Sequence, residues 1–164
     1  MLRLLKKIKS ICFTYIAKRT LGQKNVSLKA NGFTKLTKNT RLGKNVNFNG
    51  FILYGAGKCN IGDNFHSGQG CKVLTSYHNY QGNAVPYDHT LITKPVTIED
   101  NVWLGMNVTI MGGVTLGEGC IIQAESVVVA DVPKCAIAGG HPAKVFSMRD
   151  EKRYFELKSQ GKFL

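Results

Sequence analysis

Apolar residues return at every sixth position from Thr97 to Val132, where the chain divides into TIEDNV, WLGMNV, TIMGGV, TLGEGC, IIQAES and VVVADV. The second slot is always aliphatic, as Ile98, Leu104, Ile110, Leu116, Ile122 and Val128. The sixth slot is small or β-branched, as Val102, Val108, Val114, Cys120, Ser126 and Val132. This period fits neither an amphipathic helix nor a half-buried strand, so it marks a solenoid whose units bury their apolar side by stacking. Each unit predicts one short strand and one corner. β-Branched residues favour the strand, and the Gly, Asn and Asp between them tolerate the left-handed backbone of a tight turn.

The same register runs earlier through Ala30, Leu36, Leu42, Phe48 and Tyr54, then resumes one residue late at Ile61, Ser67 and Val73. One extra residue is therefore expected in a corner between Tyr54 and Asn60, where glycines crowd. From Thr75 to Lys94 the register is lost in a polar, aromatic stretch, which predicts a loop ejected at about residues 75–95. At the N-terminus, Leu4, Leu5, Ile8, Ile11, Cys12, Tyr15 and Ile16 recur at helical spacing, with Arg3, Lys6, Lys7, Lys9 and Lys18 mostly off that stripe. They predict a basic amphipathic helix that either caps the open end of the solenoid or lies at a lipid headgroup boundary. Beyond Val132 a partial coil runs to Val145, and Ser147 ahead of Met148-Arg149-Asp150-Glu151 predicts an N-cap and a closing helix to about Lys158. That helix is expected to cap the other end or to pack on a neighbouring subunit. The expected units are an N-terminal cap at 1–24, a β-helix at 25–146 and a C-terminal helix at 147–164.

Charge alters this picture at one end only. The chain of 164 residues carries a net charge of +12. Residues 1–62 hold thirteen Lys and Arg and no acid, whereas residues 63–164 hold nine bases against ten acids. No recognition helix, zinc finger or stacking-aromatic signature accompanies the basic segment, so nucleic acid is not the expected partner. An anionic membrane surface met through residues 1–20 is the better candidate. Five cysteines form no CxxC pair, which favours reduced thiols and a cytoplasmic protein, peripheral at the inner membrane face if the helix docks there. No apolar run is long enough to span a bilayer, and Lys6, Lys7 and Lys9 interrupt any signal-peptide centre.

The repeats resemble those of the hexapeptide-repeat acyltransferases. Further residues resemble the sugar O-acetyltransferase and xenobiotic acetyltransferase branch: Ser76-Tyr77-His78-Asn79-Tyr80, Lys94-Pro95-Val96, Asn101-Val102-Trp103-Leu104-Gly105, and Gly139-Gly140-His141-Pro142-Ala143-Lys144-Val145. With the repeats they span roughly residues 30 to 149. The resemblance implies an all-β fold, a left-handed parallel β-helix of triangular section, assembled as a homotrimer with sites between subunits. It implies acetyl-CoA as co-substrate, a hydroxyl acceptor on a carbohydrate such as a cell-surface glycan or its precursor, and no metal. An antibiotic acceptor, or a nonenzymatic assembly module of the same fold, are the alternatives.

Acetyl transfer from a thioester to a hydroxyl needs a base, because an alcohol near neutral pH is almost wholly protonated. Histidine suits that task, with an ordinary pKa of about 6.5. His78 stands where the resemblance places the catalytic histidine. Asp88 is the nearest acid that could hold the other ring nitrogen. No Ser or Cys sits in a nucleophile motif, which favours direct attack over an acyl-enzyme. The resemblance makes Trp103, with Tyr77 and Tyr80, the expected acceptor pocket. It places the coenzyme at the corners of Gly105 and Ala124, with Lys144 and Arg149 toward its phosphates. This chain departs from the family pattern at Met106, Ala130 and His141. The related zinc carbonic anhydrases need two histidines five apart, whereas His66, His78, His89 and His141 lie twelve, eleven and fifty-two apart.

Overall fold

A computed structural model describes residues 2–23 and 25–164. The helix α1, Leu2–Leu21, precedes a parallel β-helix whose coils run through three sheets. The first face stacks Leu28–Ala30, Val46–Phe48, His66–Ser67, Trp103–Leu104, Ile121–Ile122 and Ala136–Gly140, and the antiparallel strand Ala143–Met148 closes it. The second face stacks Thr34–Lys35, Phe51–Tyr54, Cys71–Leu74, Thr109–Met111 and Val127–Val128, and the third stacks Thr40–Leu42, Cys59–Ile61, Val96–Ile98 and Thr115–Leu116. Strands this short persist because each inner rung hydrogen-bonds to the rungs above and below it and turns apolar side chains into the axis. All twelve second-slot and sixth-slot residues between Ile98 and Val132 are buried. In the lower coils Phe48, Phe51 and Phe65 fill the axis, with ring centroids 5.0 to 5.9 Å apart.

Two expectations about register are corrected. Tyr54 is exposed, and Leu53 points inward instead. The corner at Asn49-Gly50 is one residue short, which the left-handed φ of 125° at Gly50 permits. The next corner, residues 55–58, is correspondingly longer. That wide corner seats the ejected segment: the Ala56 amide donates to the Ser76 hydroxyl at 3.0 Å and the Gly57 amide to the Thr75 hydroxyl at 3.1 Å.

The N-terminal helix caps the first coil, but not with its apolar stripe. Its packing side is Ser10, Phe13, Thr14, Ala17 and Leu21. Thr14 accepts from the Ala30 amide at 2.9 Å and Thr20 from the Leu36 amide at 3.0 Å, so hydroxyls satisfy edge amides that a preceding coil would otherwise meet. Leu4, Leu5, Ile8, Ile11 and Tyr15 face away and are exposed.

The C-terminal end also differs from expectation. Ser147 is not an N-cap: it lies in the return strand opposite Ile137. The helix α2 spans Glu151–Ser159 and is capped by Asp150, which accepts from the Arg153 amide at 2.9 Å. Rather than covering the last coil, α2 and the tail run back along the first face. Tyr154 meets Asn101, Lys158 meets Glu118, and the Leu164 carbonyl accepts from Asn45 at 2.9 Å.

Candidate active site

The segment after Thr75 is a hairpin arm rather than an irregular loop. Ser76–His78 pairs antiparallel with Leu91–Thr93, so Tyr77 opposes Ile92 and His78 opposes Leu91. The arm leaves the edge between the second and third faces, since Cys71–Leu74 precedes it and Val96–Ile98 follows. Buried Thr75 anchors its base, accepting from the Lys94 amide at 2.9 Å and donating its hydroxyl to the Tyr54 carbonyl at 2.9 Å. Lys94 lies 5.8 Å from the Tyr77 ring centre, which stiffens the stem.

His78 is exposed on this arm, and its ring stacks on Tyr87 with centroids 4.0 Å apart and planes 15° apart. The stack fixes the imidazole plane while leaving its nitrogens at the edge. Asp88 does not meet His78. Its carboxylate accepts from the Thr90 hydroxyl at 2.5 Å, the Thr90 amide at 2.8 Å and the Asn83 amide at 3.1 Å. These bonds, the Thr90 hydroxyl foremost, hold Asp88 below the usual carboxylate range. Asp88 therefore shapes the arm's tip, and the residue beside His78 is Tyr87. A stack between residues nine apart in an irregular stretch leaves no periodic signal in the sequence. His89 and Tyr80 are exposed on the same arm.

The other expected residues lie elsewhere on the prism. Trp103 is half exposed on the first face, in register between His66 and Ile121. It lines a groove of about 520 Å³ between that face and the C-terminal tail, together with Asn47, His66, Leu157, Lys158 and Phe163. His66, with its ring nitrogen 3.1 Å from the Asn49 amide nitrogen, was not expected at a site. An edge of a triangular prism faces away from the opposite side, so the stem of the His78 arm and Trp103 belong to opposite sides of one chain. Within one chain Tyr77 and Tyr80 stay with the arm, apart from Trp103.

Gly105 and Ala124 meet at the corner between the first and second faces. A Cβ on Gly68 would stand 2.6 Å from the Gly105 carbonyl carbon, and one on Gly105 would run into the Ala124 backbone. The column Gly68, Gly105, Ala124 thus stacks backbone directly on backbone, with one methyl as its only side-chain carbon. Lys144 stands above it, paired with Gly139 in the return strand. Arg149 is separate. It lies at the far end of that strand, donates to the Gly119 carbonyl at 3.1 Å and covers the Tyr154 ring at 4.8 Å. A cation so committed holds α2 in place, whereas Lys144 is exposed. Among the described residues the four histidines are spread over the first face, the arm and the final turn.

Known proteins match this architecture. Residues 95–130 fit the family model described as bacterial transferase hexapeptide, six repeats. The galactoside O-acetyltransferase of Escherichia coli is 30% identical over 128 residues, covering 65% of this chain and 63% of that one. A solved maltose O-acetyltransferase from Clostridium difficile superposes with a TM-score of 0.64 at 30% identity, covering 76% of this chain and 67% of its own. A hexapeptide-repeat acetyltransferase of Vibrio cholerae, solved with acetyl coenzyme A, superposes at 0.61 with 32% identity, covering 70% and 63%. The chain spans 40% to 63% of the lengths of curated relatives such as those of Schizosaccharomyces pombe and E. coli. The shared fold is the left-handed parallel β-helix. With the repeats matched over two full coils and a solved relative matched at 30% identity along two thirds of its length, the chain belongs to the hexapeptide-repeat acyltransferase family.

Proposed function

We propose that this protein transfers an acetyl group from acetyl-CoA to a hydroxyl of a carbohydrate, with His78 as general base, in sites closed between the subunits of a cyclic trimer. The observation that carries the proposal is the arm. It holds a stacked histidine on an edge of the solenoid, on the side away from Trp103 and the groove that Trp103 lines. A neighbouring prism would supply what the arm lacks: the Trp103 face and the Gly68, Gly105, Ala124 corner. The V. cholerae relative's acetyl-CoA complex and the sugar acceptors named for the E. coli and C. difficile relatives support the donor and acceptor classes.

The residues present fit such a donor. The corner admits a pantetheine arm against backbone, and Lys144 stands above it for phosphate. Acetyl-CoA supplies the activated thioester, and the chain supplies position and proton transfer. His78 takes the hydroxyl proton as the acceptor oxygen bonds to the carbonyl carbon, then returns it to sulfur as the C–S bond breaks. Tyr87, stacked on the imidazole, keeps that ring from turning away and acts as a positioning residue. Trp103 gives a flat apolar wall on which a sugar ring can lie. Five unpaired cysteines favour a reducing cytoplasm, where the donor is made. No helix among the described residues is long and apolar enough to cross a membrane.

Turnover is read as free thiol released from acetyl-CoA with a panel of mono- and oligosaccharides. His78→Ala should lower kcat by on the order of 10² to 10⁴ while acetyl-CoA affinity stays within a few-fold, because a base acts in the transition state. Near-normal kcat in that variant would remove His78 from the chemistry, and silence across all sugars would remove the acceptor class.

A further inference from the structure

The N-terminal helix has two faces, and the cap uses only one. At about 100° per residue, the packing residues Ser10, Phe13, Thr14, Ala17 and Leu21 lie on one side, and Leu4, Ile8, Ile11 and Tyr15 form a stripe on the other. Those four are 63%, 48%, 61% and 64% exposed. Scattered surface aliphatics are ordinary, but a continuous row along about three turns is a surface that lacks its partner. The helix also overhangs the solenoid. Residues 3–9 are all exposed, and the first tie to the coil is the Ser10 hydroxyl on Asn31 at 3.1 Å.

Basic residues frame the stripe. Lys7 and Lys18 border one side and Lys9 the other, while Arg3 and Lys6 stand on the overhanging turns. Arg19 rises at the stripe's C-terminal end, where its long stem can lift the guanidinium clear of an apolar layer. No carboxylate occurs anywhere in residues 1–62, so the first coils beneath add Lys29, Lys35, Lys38 and Arg41 without neutralising the field. A second copy of the helix laid on this stripe would set lysine against lysine. An apolar strip rimmed by bases and free of acid complements a plane that is apolar below and anionic at its surface.

We propose that this face docks the protein on an anionic lipid bilayer, with α1 lying in the headgroup plane, Leu4, Ile8, Ile11 and Tyr15 inserted, and the bordering lysines at the level of the phosphates. The coil-facing side stays packed, so docking needs no unfolding of the cap. Cyclic symmetry would turn all three helices of a trimer to the same side of the assembly, so that one surface engages them together. The proposal rests on α1 alone and stands whether or not acetyl transfer is found.

Co-sedimentation of the full chain with vesicles of phosphatidylcholine, alone or with about one third phosphatidylglycerol, tests it at low salt and at about 0.5 M salt. The expected result is at least about tenfold more protein on the anionic vesicles, falling to the neutral background at high salt. Lys6→Gln/Lys7→Gln/Lys9→Gln and, separately, Ile8→Ser/Ile11→Ser should each abolish the excess. Their thermal midpoints should be unchanged, because these side chains pack on nothing. A polarity-sensitive dye on Cys12, which borders the stripe, should shift to the blue with anionic vesicles only. Absence of binding at low salt would overturn the proposal, as would full binding by Ile8→Ser/Ile11→Ser, which would reduce it to charge adhesion. A lower oligomeric mass of that variant without lipid would also overturn it, by showing that the stripe joins copies of the chain.

Discussion

Asn45, Asn64 and Asn101 occupy left-handed backbone at one corner of successive coils, with φ between 53° and 60°, and each side-chain amide donates to the next at 3.0 Å. At the following rung Gly119 takes the place, φ 70°, because a Cβ there would lie 2.7 Å from the Tyr154 ring. The ring enters where the side chain is missing, and its hydroxyl accepts from Asn101 at 2.9 Å. Cysteines follow an equally local logic. Burial pushes the Cys59 and Cys120 thiols up to about 12 and Cys71 to about 11, and raises Cys135 as well. Cys12 is exposed. Since the thiolate is the reactive form, one thiol per chain should titrate quickly with a disulfide reagent in the native protein, and the other four only after denaturation. Cys12→Ser should remove the fast phase. Two fast thiols would mean that a coil opens far more readily than its packing implies. Cys120 was legible as a packing residue because the period names inward positions whatever residue fills them.

The C-terminal helix depends on one carboxylate. Burial works against ionised Glu118, but the hydrogen bonds from Lys158 and Tyr154 and the charges of Lys158 and Lys134 outweigh it, so the carboxyl is held below its ordinary value. A depressed carboxylate pKa stabilises the folded form above the ordinary value of about 4.3, and the contribution is lost as pH falls through the folded value. Hydrogen exchange across residues 151–159 should therefore accelerate below about pH 4 before the coils respond. Glu118→Gln should loosen the helix at pH 7 by about 1 kcal/mol, since the pair is partly exposed, and should flatten that acid response. An unchanged profile in the variant would place the anchor elsewhere, on the Arg149 and Tyr154 stack. The elements were legible unequally. Both helices were visible in the sequence, but not the sides they use, because α1 packs through hydroxyls and small residues that a hydropathy pattern passes over. The return strand Ala143–Met148 was hidden for a related reason: its exposed Val145, Phe146 and Met148 follow no inward period. Ser147 had the chemistry of an N-cap, and strand pairing claimed it first. The stem of the arm was missed because three-residue strands leave too short an alternation to detect.

A solenoid fixes the position of each residue around its axis by counting, so the chain itself dictates that His78 leaves from one edge and Trp103 sits on the opposite face. Loop flexibility does not easily bring them together, because the arm is a paired hairpin with a buried threonine at its base. This separation supports the proposed intersubunit site, which can be tested without a structure of the assembly. His78→Ala removes the proposed base but leaves a complete first face. Trp103→Ala damages the face but leaves a complete arm. If each site takes its arm from one subunit and its face from the next, the two defects need not fall in the same site. After the variants are co-denatured and refolded together at equal amounts, random mixing in a closed ring should place an intact arm against an intact face in about one quarter of sites. Turnover should then approach about one quarter of wild type, well above either variant refolded alone. Mass spectrometry under native conditions would verify that the mixed trimers formed. Mixed trimers with no more activity than the average of the two parents would show that arm and face act within one chain, and a stable, active monomer in sedimentation would exclude the shared site altogether.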